Sequence, residues 1–251
     1  MKVLVTGGAG FIGSHIVESH LNKGDEVWAV DSLLTGKKEN IESFIPSSSF
    51  RFEKADILSW EKLKEAVAWA DRIYHMAAVV GQKYVVAHPI DVLATNIKTC
   101  DLILSYAAEQ KVKPQVLIAS SSGVYGERQY TEFNEETMLH IQSSAFIQDN
   151  YSISKIVNEM TALSYVYSYK VPCVIARIFN TIGTRQTGEY GMVVPSLVRQ
   201  ALTGKPLTVY GDGKQTRSFC HVHDTIRAFD ILLNDPSCHG EIMNIGNDRE
   251  T

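Results

Sequence analysis

The chain has 251 residues, 45% of them hydrophobic and 21% charged, with 24 Lys and Arg against 28 Asp and Glu for a net charge of −4. That length suits one large α/β domain, alone or with a smaller lobe, and is enough to bury a sizeable core. The mild acidity gives no electrostatic case for nucleic acid or an anionic membrane surface as a partner, and no apolar stretch approaches the ~20 residues needed to span a bilayer.

Val3-Leu4-Val5 reads as a short strand running into a glycine turn, too brief for the apolar core of a secretory signal despite Lys2. Ile12, Ile16, Val17 and Leu21 then recur at helical spacing, and Gly24 stops the pattern. Val27-Trp28-Ala29-Val30 predicts a second strand and Phe50-Arg51-Phe52 a third, followed by a helical stretch over 60–70. Ile73-Tyr74-His75-Met76 is the fourth strand, and a long helical pattern covers 92–110. Val116-Leu117-Ile118-Ala119 is a continuous apolar run of the kind buried on both faces. A helix over 151–169 and a sixth strand over 171–176 complete the alternation. Six strands with intervening helices predict an α/β fold, a doubly wound parallel (Rossmann-type) sheet that binds ligands beyond the carboxyl ends of its strands.

After Asn180 the texture changes. The stretch 181–191 is rich in Gly and Thr, and Pro195, Pro206 and Gly211-Asp212-Gly213 interrupt the residues beyond it. The expected division is a dinucleotide-binding domain over 1–180 and a smaller C-terminal substrate lobe over 181–251, interleaved with the sheet. Cys100, Cys173, Cys220 and Cys238 show no paired spacing for a disulfide framework or a zinc site, so a reduced, cytoplasmic setting is expected.

Thr6-Gly7-Gly8-Ala9-Gly10-Phe11-Ile12-Gly13 places glycines at 7, 10 and 13 between the first strand and the first helix. Gly7 serves the tight turn, Gly10 admits a pyrophosphate to the backbone, and Gly13 lets helix pack on strand. Phe11 and Ile12 lie inside the same phosphate-binding turn at the helix N-terminus. Asp31, at the end of the second strand, can accept both ribose hydroxyls and would repel a 2′-phosphate, which favours NAD over NADP. Asp56 and Ile57, after the third strand, are placed to bracket the adenine.

The glycine spacing resembles the TGxxGxxG turn of short-chain dehydrogenases/reductases. His75-Met76-Ala77-Ala78 resembles the His-x-Ala-Ala segment of the extended members, where the small Ala77 and Ala78 would let the cofactor pass. Tyr151-Ser152-Ile153-Ser154-Lys155 sets a phenol and an ammonium one helical turn apart. A free phenol titrates near pH 10, and an adjacent Lys⁺ favours the phenolate that a general base requires. Tyr210 and Lys214 share that spacing but lie in a glycine-rich turn and cannot present one helical face.

Ser120-Ser121-Ser122-Gly123-Val124-Tyr125-Gly126 follows the fifth strand. The resemblance implies that Ser121 bonds the hydroxyl to be oxidised, with Ser122 beside it in the substrate site. Related sugar dehydratases carry Asp-Glu right after that serine, and UDP-glucuronate decarboxylases carry Glu two residues before the tyrosine. Ser122 and Gly123 stand there instead and exchange no proton near neutrality, which disfavours elimination and weakens decarboxylation.

Arg177-Ile178-Phe179-Asn180 resembles a segment of nucleotide-sugar enzymes whose Asn meets the substrate near its diphosphate. The stretch 206–211, with Val209 and Tyr210, resembles a strand lying against the nucleotide base. Arg217, in 216–224, corresponds to a diphosphate clamp, and Arg185 is expected to line the cleft. Asp224 is read as a helix N-cap. His221 and His223 would share one strand face, yet no further ligand accompanies them and no metal is expected.

The residues and the resemblance together imply an NAD-dependent UDP-hexose 4-epimerase, with Tyr151, Lys155 and Ser121 catalytic, and the resemblance alone implies a homodimer. The alternatives are a UDP-glucuronate decarboxylase-like enzyme and a non-catalytic NAD-binding regulator. Members of the extended group run further, so the lobe is expected to be incomplete in this chain.

Overall fold

A computed structural model describes residues 1–126, 132–141, 144, 146–188, 192–209 and 211–251, with only the backbone of 82 and 83. Strands β1 (Lys2–Thr6), β2 (Glu26–Asp31) and β3 (Phe50–Lys54) alternate with α1 (Phe11–Asn22) and, after β3, α2 (Leu63–Trp69). Then come β4 (Arg72–His75), α3 (Gln82–Ala87), α4 (Pro89–Glu109), β5 (Gln115–Ser121), α5 (Asn150–Tyr169) and β6 (Cys173–Ile178). The remainder holds β7 (Thr181–Ile182), α6 (Val193–Leu202), β8 (Cys220–His221), α7 (Val222–Asn234) and β9 (Ile242–Ile245). No described helix is long and apolar enough to cross a membrane.

The main sheet has seven parallel strands in the order β3-β2-β1-β4-β5-β6-β9. Its strands are apolar on both faces because each face carries its own core. Alternate residues serve opposite sides, as the two-residue period of a strand demands. Leu4, Trp28, Ile73 and Ile118 pack with α2, α4 and α5 through Val67, Ile103, Leu104 and Ala162. Val3, Val5, Ala29 and Leu117 pack on the other side with Ile16 and Val17 of α1 and Phe229 and Leu233 of α7. The strand order reverses between β1 and β4, which opens a crevice at their carboxyl ends.

The sixth strand is displaced from the expected 171–176 because the ladder to β5 and β9 runs on to Ile178. A seventh strand comes from Ile242–Ile245. Helix α7 packs on the sheet and β9 extends it, while β7 and β8 pair with each other in a separate two-stranded sheet.

Four expectations for the C-terminal part are corrected. Leu207 and Val209 form no strand; they are 56% and 67% exposed, and no described segment pairs with them. His221 and His223 do not share a strand face, because β8 ends at His221 and Val222 opens α7; their rings meet edge-on with centroids 4.9 Å apart. Asp224 is not the N-cap. His221 is, its Nδ1 accepting from the His223 N–H at 3.3 Å, while Asp224 lies in the first turn, where the helix dipole favours a negative charge. Pro195, read as an interruption, sits in the first turn of α6, where its missing N–H has no helical partner to lose.

A buried polar network pins α7 beneath the sheet. His20 Nδ1 lies 2.7 Å from Asp25 Oδ2, and Asp25 Oδ1 accepts from the N-terminal amine at 2.6 Å. The Tyr74 hydroxyl is 3.0 Å from His20 Nε2 and 3.1 Å from Asp230, which also pairs with Lys23 and Arg72. Burial holds the His20 imidazole below its ordinary pKa, only partly offset by Asp25 and Asp230. The unfolded chain therefore binds this proton more tightly, so the His20 contribution is complete above pH ~6.5 and is lost as pH falls. We expect the melting temperature to fall between pH 7 and pH 5, and His20→Asn to flatten that slope. An equal slope in the variant would remove His20 as its source.

Candidate active site

A cleft of about 370 Å³ opens over the carboxyl ends of β1, β2, β4 and β5. Gly7, Gly10, Phe11, Ile12, Gly13, Asp31, Asp56, Ile57, Ala77, Ala78, Ser121, Tyr151 and Lys155 all line it.

The glycine turn is shaped by close approach. Gly7 has φ +69°, and a Cβ there would lie 2.8 Å from the Ala77 nitrogen; a Cβ on Gly13 would lie 2.1 Å from the Gly7 oxygen. Gly7 and Gly13 are thus required by the protein itself. Gly10 differs, since its Cβ would meet only the Gly7 oxygen, at 3.1 Å, and otherwise project into open space. Gly10 is also the N-cap of α1 and supplies no capping side chain, so the first N–H groups of the helix remain available to an anion.

Asp31 is buried, its carboxylate accepting from Ala9 N at 3.0 Å and Leu33 N at 2.8 Å. Burial raises its pKa, opposed by the backbone N–H groups of Leu33, Ala9 and Gly10. It therefore braces the glycine turn while keeping lone pairs directed at the cleft. His75 joins β1 to α4: its Nδ1 is 2.8 Å from Thr6 Oγ1 and its Nε2 3.4 Å from Thr99 Oγ1. Burial, with Lys155 nearby, pushes its pKa to about 3, so the ring is neutral. This arrangement of free helical N–H groups, open space at Gly10 and an acid at the end of β2 fits NAD.

Tyr151 and Lys155 lie one turn apart on α5, with Lys155 Nζ 5.8 Å from the Tyr151 ring centroid. The Lys155 ammonium donates to the Ala119 carbonyl at 2.7 Å rather than to the phenol. Burial lowers its pKa to about 8, against the pull of Cys100 and Glu159. Burial raises the Tyr151 phenol, and its hydrogen bond with Ser121 works the other way. Ser121 thus favours the phenolate by contact, and the Lys155 ammonium acts on it only across the ring distance of 5.8 Å. Ser121 Oγ also accepts from Gly123 N at 3.1 Å, which holds it at the strand exit.

Behind this group lies an ion pair that the sequence reading missed. Arg177 grips Glu159 with two hydrogen bonds of 2.9 and 2.8 Å, and Ser120 donates to the same carboxylate at 2.5 Å. Arg177 also donates to Tyr125 at 2.9 Å, whose hydroxyl donates to Asn244 at 2.7 Å. Glu159 follows Lys155 by one helical turn, and that spacing was the available signal. Thr95, Thr99, Thr187 and Met192 also line the cleft, and no pattern in the sequence marks them.

Of the expected substrate residues, Ser121 lines the cleft and the other described ones do not. Ser122 opens the short turn 122–125 and is not among the lining residues. Asn180 is exposed and donates to the Ser218 carbonyl at 3.1 Å. Arg185 is turned to Glu18 at 2.8 Å and lies over Phe44, away from the cleft. Arg217 is exposed, its Nη1 donating to the Thr216 carbonyl at 2.7 Å while its backbone pairs with Thr251. Val209 projects from an unpaired segment, and Tyr210 lies outside the described residues. The sheet-borne half of the site is assembled, whereas these groups lie in the loops that follow it.

Comparison with known proteins agrees with that geometry. A sequence profile described as the NAD dependent epimerase/dehydratase family matches residues 3–246. The chain belongs to this family, whose architecture is that of the extended short-chain dehydrogenases/reductases. It is 36% identical over 250 residues to a UDP-N-acetyl-alpha-D-glucosaminuronate decarboxylase of Bacillus cytotoxicus, covering 99% of this chain and 76% of that protein. It is 35% identical over 249 residues to UDP-glucuronic acid decarboxylase 1 of Danio rerio, covering 99% of this chain but 57% of that one. The crystal structure of a UDP-glucuronic acid 4-epimerase from Bacillus cereus, in complex with UDP-glucuronic acid and NAD, superposes with a TM-score of 0.88 at 32% identity, covering 100% of this chain and 79% of the other. NAD is therefore the cofactor of the family to which this cleft belongs.

Two outcomes test the site. Gly10→Ala should lower the melting temperature modestly, because the methyl would meet the Gly7 carbonyl oxygen at 3.1 Å, and should weaken NAD at least ~10-fold by calorimetry. Full NAD affinity in that variant would contradict the phosphate placement. Lys155 holds its proton less tightly folded than unfolded, so its contribution to stability rises with pH between about 8 and about 10. Lys155→Met should accordingly melt higher than the native protein at pH 7, by a margin that narrows toward pH 10.

Proposed function

We propose that this chain acts on a nucleotide sugar, most simply as a 4-epimerase of a UDP-hexose. The observation that carries the reading is the content of the reacting corner. A phenol bonded to Ser121 and a buried ammonium are present, and neither Ser122 nor Gly123 offers a carboxylate beside them.

Each residue has a definable task. Tyr151 takes the proton of the C4 hydroxyl and returns it at the end. Ser121 fixes that hydroxyl and stabilises the phenolate through its hydrogen bond. Lys155 places a positive charge on the cofactor side of the phenol, while its own geometry is set by the Ala119 carbonyl. What NAD supplies when bound is a reversible hydride sink at C4. The resulting 4-keto sugar presents its other face to the same site, and the C4 configuration inverts with no net redox change.

A decarboxylase reading is favoured by a different observation, the relatives named as decarboxylases over nearly the whole chain. A 4-keto-hexuronate is a β-keto acid and can release CO₂ without a strong general acid, so the same Tyr151, Lys155 and Ser121 would serve. The reading also includes pairing of two copies, supported by exposed Met160, Tyr167 and Tyr169 on α5. A cytoplasmic setting is supported by four free cysteines, of which Cys100, Cys173 and Cys220 are buried.

Incubation with UDP-glucose, UDP-N-acetylglucosamine and UDP-glucuronate, with products read by mass and NMR, separates the reactions. An isomer of unchanged mass is expected, and loss of CO₂ would replace epimerisation with decarboxylation. Tyr151→Phe should reduce either turnover about 10²–10⁴-fold. Unchanged function in that variant would point to the regulator.

A further inference from the structure

The stretch that follows β7 reaches the cleft, where Thr187 and Met192 are among the lining residues. Among the described residues, 184–186 make no backbone–backbone hydrogen bond, so side chains hold this loop. Gln186 Nε2 donates to the Thr181 carbonyl at 2.9 Å, within the same stretch. The polar ties of 184 and 185 go instead to α1. Arg185, with φ +66°, reaches Glu18 at 2.8 Å. The Thr184 carbonyl lies 3.0 Å from His15 Nε2, with Thr184 Oγ1 at 3.3 Å from the same nitrogen.

His15 is 3% exposed and has no part in the chemistry assigned above. It sits one turn after Phe11, whose ring it meets edge-on with centroids 6.0 Å apart, and Phe11 lines the cleft. A carbonyl only accepts, so Nε2 carries the ring proton. Nδ1 is then a bare lone pair. It has no hydrogen-bond partner among the described residues, and Glu18 Oε2, 3.7 Å away, is an acceptor already bonded to Arg185. Burial disfavours a second proton on the ring; the Thr184 bond and Glu18 oppose that, while Arg185 and His223, whose ring is 5.4 Å away, add to it. The imidazole is therefore a neutral donor aimed at Thr184. Its one N–H holds the backbone of a loop that goes on to the cleft.

We propose that His15 is a positioning residue for the sugar: through the Thr184 carbonyl it sets how Thr187 stands in the cleft. His15 touches neither ligand. The inference rests on the nucleotide-sugar reading, in which 181–192 belongs to the substrate side and the glycine turn to NAD. Loss of the bond should therefore reach sugar affinity and spare NAD, whereas general damage to α1 would reach NAD, because that helix carries the phosphate-binding turn.

The test compares His15→Leu, His15→Asn and His15→Gln, with calorimetric affinities for NAD, UDP-glucose and UDP-glucuronate alongside kcat and KM. Gln places its amide nitrogen where Nε2 stands, and Asn stops at the place of Nδ1. Leu and Asn should raise the sugar KM and Kd about ten-fold, the scale of one buried hydrogen bond, with kcat and NAD affinity close to native. Gln should restore the native values. A folded Leu or Asn variant with native sugar affinity overturns the inference, as does an equal loss for NAD and sugar, or a Gln variant as weak as Leu. Should Leu fail to fold, Asn against Gln decides. The native protein gives a further readout: ¹⁵N signals of His15 at pH 8 should show the Nε2–H tautomer, and an Nδ1–H form overturns the tie to Thr184. A native protein that binds NAD but no UDP-sugar overturns the nucleotide-sugar reading and the role of His15 in sugar affinity with it, and the tautomer still decides the tie.

Discussion

The site depends on how closely three pieces of backbone approach at the crevice between β1 and β4. The Gly7 carbonyl stands where a Cβ of Gly13 would be, and the Gly7 Cα faces the Ala77 backbone. No larger residue can be placed at those two glycines without moving strand from helix. Once they are close, the rest of the cofactor cradle is set. The α1 N-terminus is brought over the strand ends, Asp31 is within reach of the turn's N–H groups, and Thr6 meets both His75 and the Ala77 N–H. A Cβ on Gly8 would likewise lie 2.6 Å from the Ala29 Cβ, so three of the turn's glycines are held by close packing and Gly10 is the one with open space beside it.

The second constraint is the burial of charge behind the reacting corner. Lys155 is 3% exposed and Glu159 lies a turn below it, bound to Arg177 and Ser120. A buried pair of this kind is a doubtful source of stability, because desolvation offsets much of the attraction. Its geometric effect is clearer. Ser120 is fixed by Glu159, so Ser121, its neighbour on β5, is held at the edge of the cleft beside the phenol. Arg177 connects the same carboxylate to Tyr125, and Tyr125 to Asn244 on β9. The last strand of the sheet is thereby joined to the catalytic corner through polar groups alone.

Much of the sheet was legible because its physics is local. A strand covered on both faces needs an unbroken apolar run, and Val3-Leu4-Val5 and Val116-Leu117-Ile118-Ala119 have one. The glycine turn and the Tyr151/Lys155 pair were legible for a related reason, each being a short spacing on one element. A helix was expected to start at Asp224, and the helical repeat of Val222, Ile226, Phe229 and Leu233 carries α7 from Val222 onward. The strand expected at 206–211 failed because a strand exists only with a partner, and apolar residues such as Leu207 and Val209 do not name one.

The sequence by itself determined which residues would line the cleft at the sheet's carboxyl edge, since each belongs to a turn or strand end whose position the alternation of elements dictates. It also determined that no acid stands at 122 or 123. Only the tertiary structure decided what the neighbouring groups do with one another. It set the Lys155 ammonium on the Ala119 carbonyl and turned Arg185 to Glu18 and away from the cleft. The reason is that a hydrogen bond is chosen among all groups within about 3 Å. Which groups those are depends on how distant segments pack, and residue spacing along the chain does not carry that information.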